Sequence, residues 1–134
     1  MFKNFKIYII VANNRDKTHM FSVEERKKMI KSTFKNEKLN VIEFDGIISN
    51  YINKNNIDII IRGIRNYTDF EYEKNIELFT KKTTSAETIY LTPRIKHSST
   101  SSSVVRNFIK FGYLKKIKKL TSKNVYKIIK KKYK

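Results

Sequence analysis

Along this chain the apolar residues switch between two periods, and the switches mark its elements. Residues 5–12, FKIYIIVA, are nearly continuous β-branched and aromatic residues, as buried parallel strands tend to be. The polar stretch NNRDKTHMF follows as a loop. Ser22 then opens a helix, because Glu25 three residues later completes the capping box SVEE. That helix runs to about Lys35, with Val23, Met29, Ile30 and Phe34 on its buried side. LNVIEF (39–44) predicts a second strand, IISNYINKNN (47–56) a short helix, and IDIIIR (57–62) a third strand with the strongest β signal in the chain. A helix over about 69–82 carries Phe70, Ile76 and Phe79. ETIYLT (87–92) is the fourth strand, and Pro93, the only proline, ends it. Ser101, Ser102 or Ser103 caps the helix SSVVRNFIKF, which Gly112 stops.

Strands alternating with helices at this spacing predict an α/β fold, a Rossmann-like parallel sheet with helices on both faces. The 134 residues suit a single domain, with residues 114–134 as a basic helical tail. In such sheets the ligand crevice lies beyond the carboxyl ends of the strands. Each polar cluster of this chain follows a strand: NNRDKTHMF the first, Asp45 the second, RGIR the third, PRIKHSSTSSS the fourth. Lysine, arginine, hydroxyls and a helix N-terminus suit phosphate groups, so the rim reads as a site for phosphorylated small molecules.

Charge changes this picture in one place. The net charge of +18 reflects lysines on nearly every polar face, but residues 115–134, KKIKKLTSKNVYKIIKKKYK, contain no acidic residue. Val125, Ile128 and Ile129 recur there at helical spacing and predict an amphipathic helix with a basic outer face. A basic nucleic-acid-binding module is therefore the alternative reading, although no RNA-binding signature accompanies the tail. The chain has no cysteine, which removes disulfides and thiolate metal sites and fits a reducing cytoplasm. No apolar run approaches the length of a membrane span, and the strand-like N-terminus lacks a signal-peptide cleavage pattern.

DKTHMFSVEER (16–26), IRGIRNYTDFEYE (61–73) and SSTSSSVVR (98–106), in this order and spacing, resemble the phosphopantetheine adenylyltransferases, which are nucleotidyltransferases of Rossmann-like fold. The most specific part is RGIRNYTDFEYE. The resemblance implies that ATP and 4′-phosphopantetheine react to give dephospho-coenzyme A and pyrophosphate. The pantetheine phosphate would attack the α-phosphorus of ATP directly, so the site works by positioning and charge stabilisation. It further implies Mg2+ bound mainly through the ATP phosphates, and assembly as a hexamer.

The resemblance carries over by residue. Lys17 matches the lysine that meets the reacting phosphates, Arg62 the arginine that grips the substrate phosphate, and Ile48 the apolar residue along the pantetheine arm. Gly63, Ile64 and Arg65 match the ATP-contacting segment, and Glu73 a carboxylate near the nucleotide. His97, Ser98, Ser99, Thr100, Ser101, Ser102 and Ser103 match the loop and helix start that touch ATP. Plainer roles stand beside these: a solvated lysine at position 17, core packing for Ile48, pairing of the arginines with Asp69, Glu71 or Glu73, and helix capping by one serine.

One part of the family pattern is absent. The family opens with a strand and a Thr-x-Gly-His motif whose histidine stabilises the transition state. This sequence begins where the family's second strand would start, and none of its three glycines precedes a histidine. His19 and His97 fall in other matched segments, so no catalytic residue is assigned and activity is expected to be impaired. The missing strand is central in the family's sheet. Its flanking strands are expected to pair directly, or another segment to fill the gap, or the sequence to be a fragment of a longer chain. An adenylyltransferase homologue without activity is a further reading.

Overall fold

The computed structural model describes residues 5–12, 18–34 and 39–134. The elements run β1 (Ile7–Ala12), α1 (Val23–Thr33), β2 (Leu39–Phe44), α2 (Ile48–Lys54), β3 (Ile59–Gly63), α3 (Tyr67–Lys81), β4 (Glu87–Leu91), a 3₁₀ turn (Ile95–His97), α4 (Ser102–Lys110), α5 (Leu114–Ile117) and α6 (Lys123–Lys132). Lys17 and Lys35 lie outside the described residues.

β1 pairs in parallel with β2, from Ile7 opposite Leu39 to Ala12 opposite Phe44. β3 pairs in parallel with β4, from Ile59 opposite Glu87 to Gly63 opposite Leu91. Each ladder is one strand–helix–strand unit, so the α/β class with parallel strands is as the periodicity predicts. The ladders remain two-stranded, and neither gains a third strand among the described residues. Packing divides the chain into two compact units, Met1–Asp45 with Thr100–Lys134, and Gly46–Ser99.

In the first unit α1 lies on β1 and β2, and α6 lies on α1. Val11, Val23 and Val41 are buried together, with Ile9, Ile30 and Leu39 against them. A second cluster joins Ile109, Ile117 and Ile129 from α4, α5 and α6, and Met29 reaches it from α1. Phe34, expected on the buried side of α1, is 53% exposed. It is the C-cap, with φ −108° and ψ 103°, so its side chain leaves the helical stripe.

The amphipathic helix expected from Val125, Ile128 and Ile129 is α6, with Ile129 buried, but the helical tail is not continuous. It breaks into α5 and α6, and the Ser122 hydroxyl caps α6 by accepting from the Val125 N–H at 3.3 Å. The core supplies the reason. In one straight helix Ile117 and Ile129 would stand about 18 Å apart, whereas the break lets both pack on Ile109.

In the second unit α3 covers the face of the β3–β4 ladder that carries Arg62 and Tyr90. The alternate residues Ile59, Ile61, Ile89 and Leu91 point the other way and stay 42–63% exposed. β3 is thus half-exposed rather than the buried strand its composition suggests. Phe79 on α3 is likewise 61% exposed. α2 contributes the buried Ile52, and the Asn53 side-chain amide donates to the Thr83 carbonyl at 2.8 Å.

Candidate functional site

Parallel pairing sets the carboxyl ends of β3 and β4 side by side. Gly63 stands opposite Leu91, and the Ile64 N–H extends the ladder by donating to the Leu91 carbonyl at 2.9 Å. The segments Arg62–Asn66 and Thr92–Ser99 therefore leave the ladder at the same end, where a ligand crevice forms in parallel sheets.

Strand alternation turns Arg62 toward α3. Its Nη1 lies 3.3 Å from Glu73 Oε2, with both side chains largely shielded, at 27% and 20% exposure. Glu73 Oε2 is buried, yet no hydrogen bond of good geometry reaches it among the described residues. The pair is close enough for charge attraction but poorly aligned, so Arg62 is held loosely.

Arg65 is held more firmly. Its Nε donates to Asp69 Oδ2 at 2.8 Å and its Nη2 to Asp69 Oδ1 at 3.2 Å. Its backbone N–H donates to Oδ2 as well, at 3.2 Å. Asp69 sits in the first turn of α3, where the Asn66 side chain caps the helix by accepting from the Asp69 N–H at 2.8 Å. The hydrogen bond from the guanidinium holds the Asp69 carboxyl below the usual range, and the same bond raises Arg65 above its own.

Between the two arginines, Gly63 has an ordinary strand backbone, and a Cβ added to it would meet no atom within 4 Å. Nothing in the described fold requires glycine there. Open space over a bare backbone fits the close approach of a ligand.

Sequence reading passed over Tyr90 and Glu77. Tyr90 stands opposite Arg62 in the ladder, and its hydroxyl donates to Glu77 Oε2 at 2.9 Å. Phe70 packs on the Tyr90 ring edge-on, with centroids 5.4 Å apart. Glu77 also accepts from Lys74 at 2.6 Å and faces Lys81 at 3.5 Å. Burial pushes the Tyr90 hydroxyl up to about 12, helped by its bond to Glu77. Phe70, Glu73 and Glu77 recur three and four residues apart, and this spacing could have revealed one face of α3 turned to the ladder.

Beyond β4, His97 ends the 3₁₀ turn and is exposed, the Ser98 hydroxyl donates to the Ile95 carbonyl at 2.7 Å, and Ser99 is exposed. In the other unit, Thr100 is half-buried and Ser101 caps α4, accepting from the Val104 N–H at 3.2 Å. Ser102 is exposed at the first helical position, and Ser103 accepts from Arg106 Nη2 at 2.9 Å. One serine caps the helix, while the Ser103 hydroxyl serves Arg106 instead. Ile48 begins α2 and is half-buried. The structure thus brings Arg62, Gly63, Ile64, Arg65 and Glu73 into one cluster, with His97, Ser98 and Ser99 on the neighbouring strand's exit. Thr100–Ser103 belong to the other unit.

Among the described residues, no three or more His, Asp or Glu side chains gather to hold a metal, and no helix is long and apolar enough to cross a membrane.

The cytidylyltransferase-like family model matches residues 1–108. A phosphopantetheine adenylyltransferase of Flavobacterium johnsoniae is 40% identical over 108 residues, 80% of this chain and 71% of that protein. The protein of the same name from Flavobacterium psychrophilum is 41% identical over 80% of this chain and 72% of its own length. That of Dictyoglomus turgidum is 38% identical over 80% and 68%. The matched stretch includes the Arg62–Arg65 segment, α3 and the start of α4.

Proposed function

Because the chain belongs to the phosphopantetheine adenylyltransferases, within the cytidylyltransferase-like nucleotidyltransferases, we propose that it binds ATP and 4′-phosphopantetheine and joins them in coenzyme A biosynthesis. The observation that carries this reading is the pair Arg62 and Arg65 on either side of an unobstructed glycine, at the carboxyl end of a parallel ladder. Arg62 grips the phosphate of phosphopantetheine. Its misaligned contact with Glu73 leaves most of its five N–H donors for an oxyanion. Gly63, Ile64 and Arg65 receive the nucleotide, and Glu73 lies close by. His97 contacts ATP, and Ser98, Ser99, Thr100, Ser101, Ser102 and Ser103 offer hydroxyls and helix-start N–H groups to it. Lys17 follows the charge moving between the phosphates, and Ile48 lines the pantetheine arm.

The reaction is one in-line displacement. A phosphate oxygen of phosphopantetheine forms a bond to the α-phosphorus of ATP as the bond to pyrophosphate breaks. Two anions must meet, so the residues act by neutralising and orienting them. Mg2+ would arrive with the nucleotide, held mainly by phosphate oxygens, and would lower that repulsion. The setting is the cytoplasm, and the working form a homo-oligomer, a hexamer as in the family.

Binding reports on these side chains directly, whereas turnover also depends on a transition-state donor, typically worth about 10²–10³ in rate. Binding is therefore the first measurement. Calorimetry should show heat with ATP and, separately, with 4′-phosphopantetheine. Arg62→Ala should weaken phosphopantetheine about tenfold or more, as expected when a charge-assisted contact is removed. Unchanged affinity would remove Arg62 from the site, and absence of heat with both ligands would sink the reading. Pyrophosphate release, measured on the same sample, gives the residual turnover.

A further inference from the structure

Arg65 has a guanidinium with two different edges. One edge presents Nε–H beside one Nη2–H; the end presents one N–H from each terminal nitrogen. Asp69 takes the first edge completely, at 2.8 Å through Nε and 3.2 Å through Nη2. The end fork and one further N–H of Nη1 remain. That fork has the geometry for two parallel bonds to one phosphate group.

We infer that Asp69 is a positioning residue for nucleotide binding, one that clamps the Arg65 guanidinium side-on so that its end fork is presented to a polyphosphate oxyanion. This rests on the reading of Arg65 as a nucleotide contact. Three features of the clamp are independent of that reading. Asp69 is fixed at its own root, because the Asn66 cap accepts from its backbone N–H at 2.8 Å. The carboxylate also accepts from the Arg65 backbone N–H at 3.2 Å, so side chain and main chain are tied to one point. The Asp69 side chain is 24% exposed and that of Arg65 45%, so the guanidinium keeps an accessible side while its partner is half-shielded.

An unclamped arginine has four rotatable side-chain bonds to fix when a ligand binds. Immobilising a rotamer-rich side chain in advance removes a cost otherwise met at binding. A lysine could not take both parts, since its ammonium is a point charge without two edges. Arg65→Lys should therefore behave like loss of the clamp.

The test is a double-mutant cycle read by calorimetry on the full chain, with ATP as the probe and 4′-phosphopantetheine as the control. Arg65→Ala and Asp69→Ala should each weaken ATP about tenfold, while the double variant should bind no more weakly than Arg65→Ala alone. Phosphopantetheine affinity should stay within about twofold, because Arg62 is held separately by Glu73. Asp69→Asn keeps an acceptor for the Arg65 N–H and should fold even if the alanine variant does not. It sets an amide against the second guanidinium bond and should still weaken ATP, and Asp69→Glu should recover part of the loss. A full further loss from Asp69→Ala in the Arg65→Ala background would overturn the inference, as would an equal fall in phosphopantetheine affinity. Normal ATP binding by Asp69→Ala beside a weakened Arg65→Ala would overturn the clamp and leave Arg65 in the site. Normal ATP binding by Arg65→Ala would overturn both.

Discussion

Glu77 is a carboxylate at 6% exposure, and the fold answers it with Lys74 at 2.6 Å, the Tyr90 hydroxyl at 2.9 Å and Lys81 at 3.5 Å. Burying an ionised group without partners costs several kcal/mol, which explains why three donors converge. The bond from Lys74, then that from Tyr90, holds the Glu77 carboxyl below its ordinary value. A depressed carboxyl contributes stability that is fully present above its ordinary value of about 4.3 and is lost as pH falls through the lower folded value. Tyr90 has the opposite sign. Its contribution is complete below the ordinary tyrosine value of about 10 and disappears as pH rises through about 12. Thermal melts should show neither loss between about pH 5 and 10, with the acid loss below that plateau. Tyr90→Phe should lower stability on the plateau by about 1–3 kcal/mol, since a hydrogen bond to a charged group goes. The alkaline loss should shrink with it. A Tyr90→Phe protein of unchanged stability would mean that lysines alone satisfy Glu77.

Two glycines at element ends have opposite physical reasons. α4 ends in a Schellman motif: Gly112, at φ +75°, donates to the Ile109 carbonyl at 3.1 Å, and the next residue, Tyr113, donates to the Phe108 carbonyl at 2.8 Å. The Phe108 and Tyr113 rings close the motif edge-on at 6.4 Å. A Cβ at Gly112 would meet no atom within 4 Å, so the cost of Gly112→Ala is conformational, about 1–2 kcal/mol. Gly63 lacks the left-handed backbone, and Gly63→Ala should leave the denaturation midpoint unchanged while weakening ATP binding. A Gly63→Ala protein as destabilised as Gly112→Ala, or one that binds ATP normally, would contradict the role proposed for Gly63. The sequence made Gly112 and the Ser22–Glu25 box readable because each is a local signal within a few residues. In the structure the Ser22 N–H does donate to Glu25 Oε2 at 2.8 Å, and the Glu25 N–H to Ser22 Oγ at 3.2 Å. The break at Ser122 and the exposure of β3 were not readable, since distant partners decide them. Ile109 draws Ile117 and Ile129 together, and α3 covers only one face of the ladder. For the candidate site, the arginines and serines were legible as letters, but their anchors were not. Asp69 stood among three candidate partners, and the bonds from two of the three guanidinium nitrogens single it out for Arg65.

At the scale of the molecule, one contact ties residues more than a hundred positions apart. Lys132 Nζ donates to Glu25 at 2.6 and 2.8 Å and to the Met20 carbonyl at 3.3 Å, and it lies over the Phe21 ring at 5.1 Å. The Tyr133 hydroxyl reaches the same Met20 carbonyl at 3.1 Å. The bond from Lys132 is the main reason that the Glu25 carboxyl falls below its usual value. Both side chains keep solvent contact, at 36% and 31% exposure, so water screens the charge attraction. Lys132→Ala should accordingly cost only about 1 kcal/mol. Urea unfolding should show a lower midpoint with an unchanged slope. A midpoint equal to that of the parent would reduce the tie to a surface ornament.

The division of the chain also orders its appearance in time. Gly46–Ser99 are contiguous, so every partner needed by that unit has been synthesised by position 99, whereas the other unit needs residues from both sides of that stretch. On the ribosome the middle of the polypeptide can therefore reach its native contacts while β1, β2 and α1 still wait for α4 to α6 to emerge. Until Ile129 and Tyr133 arrive, the cluster around Ile109, Ile117 and Ile129 stays incomplete, and its greasy side chains stay open to water or to a chaperone.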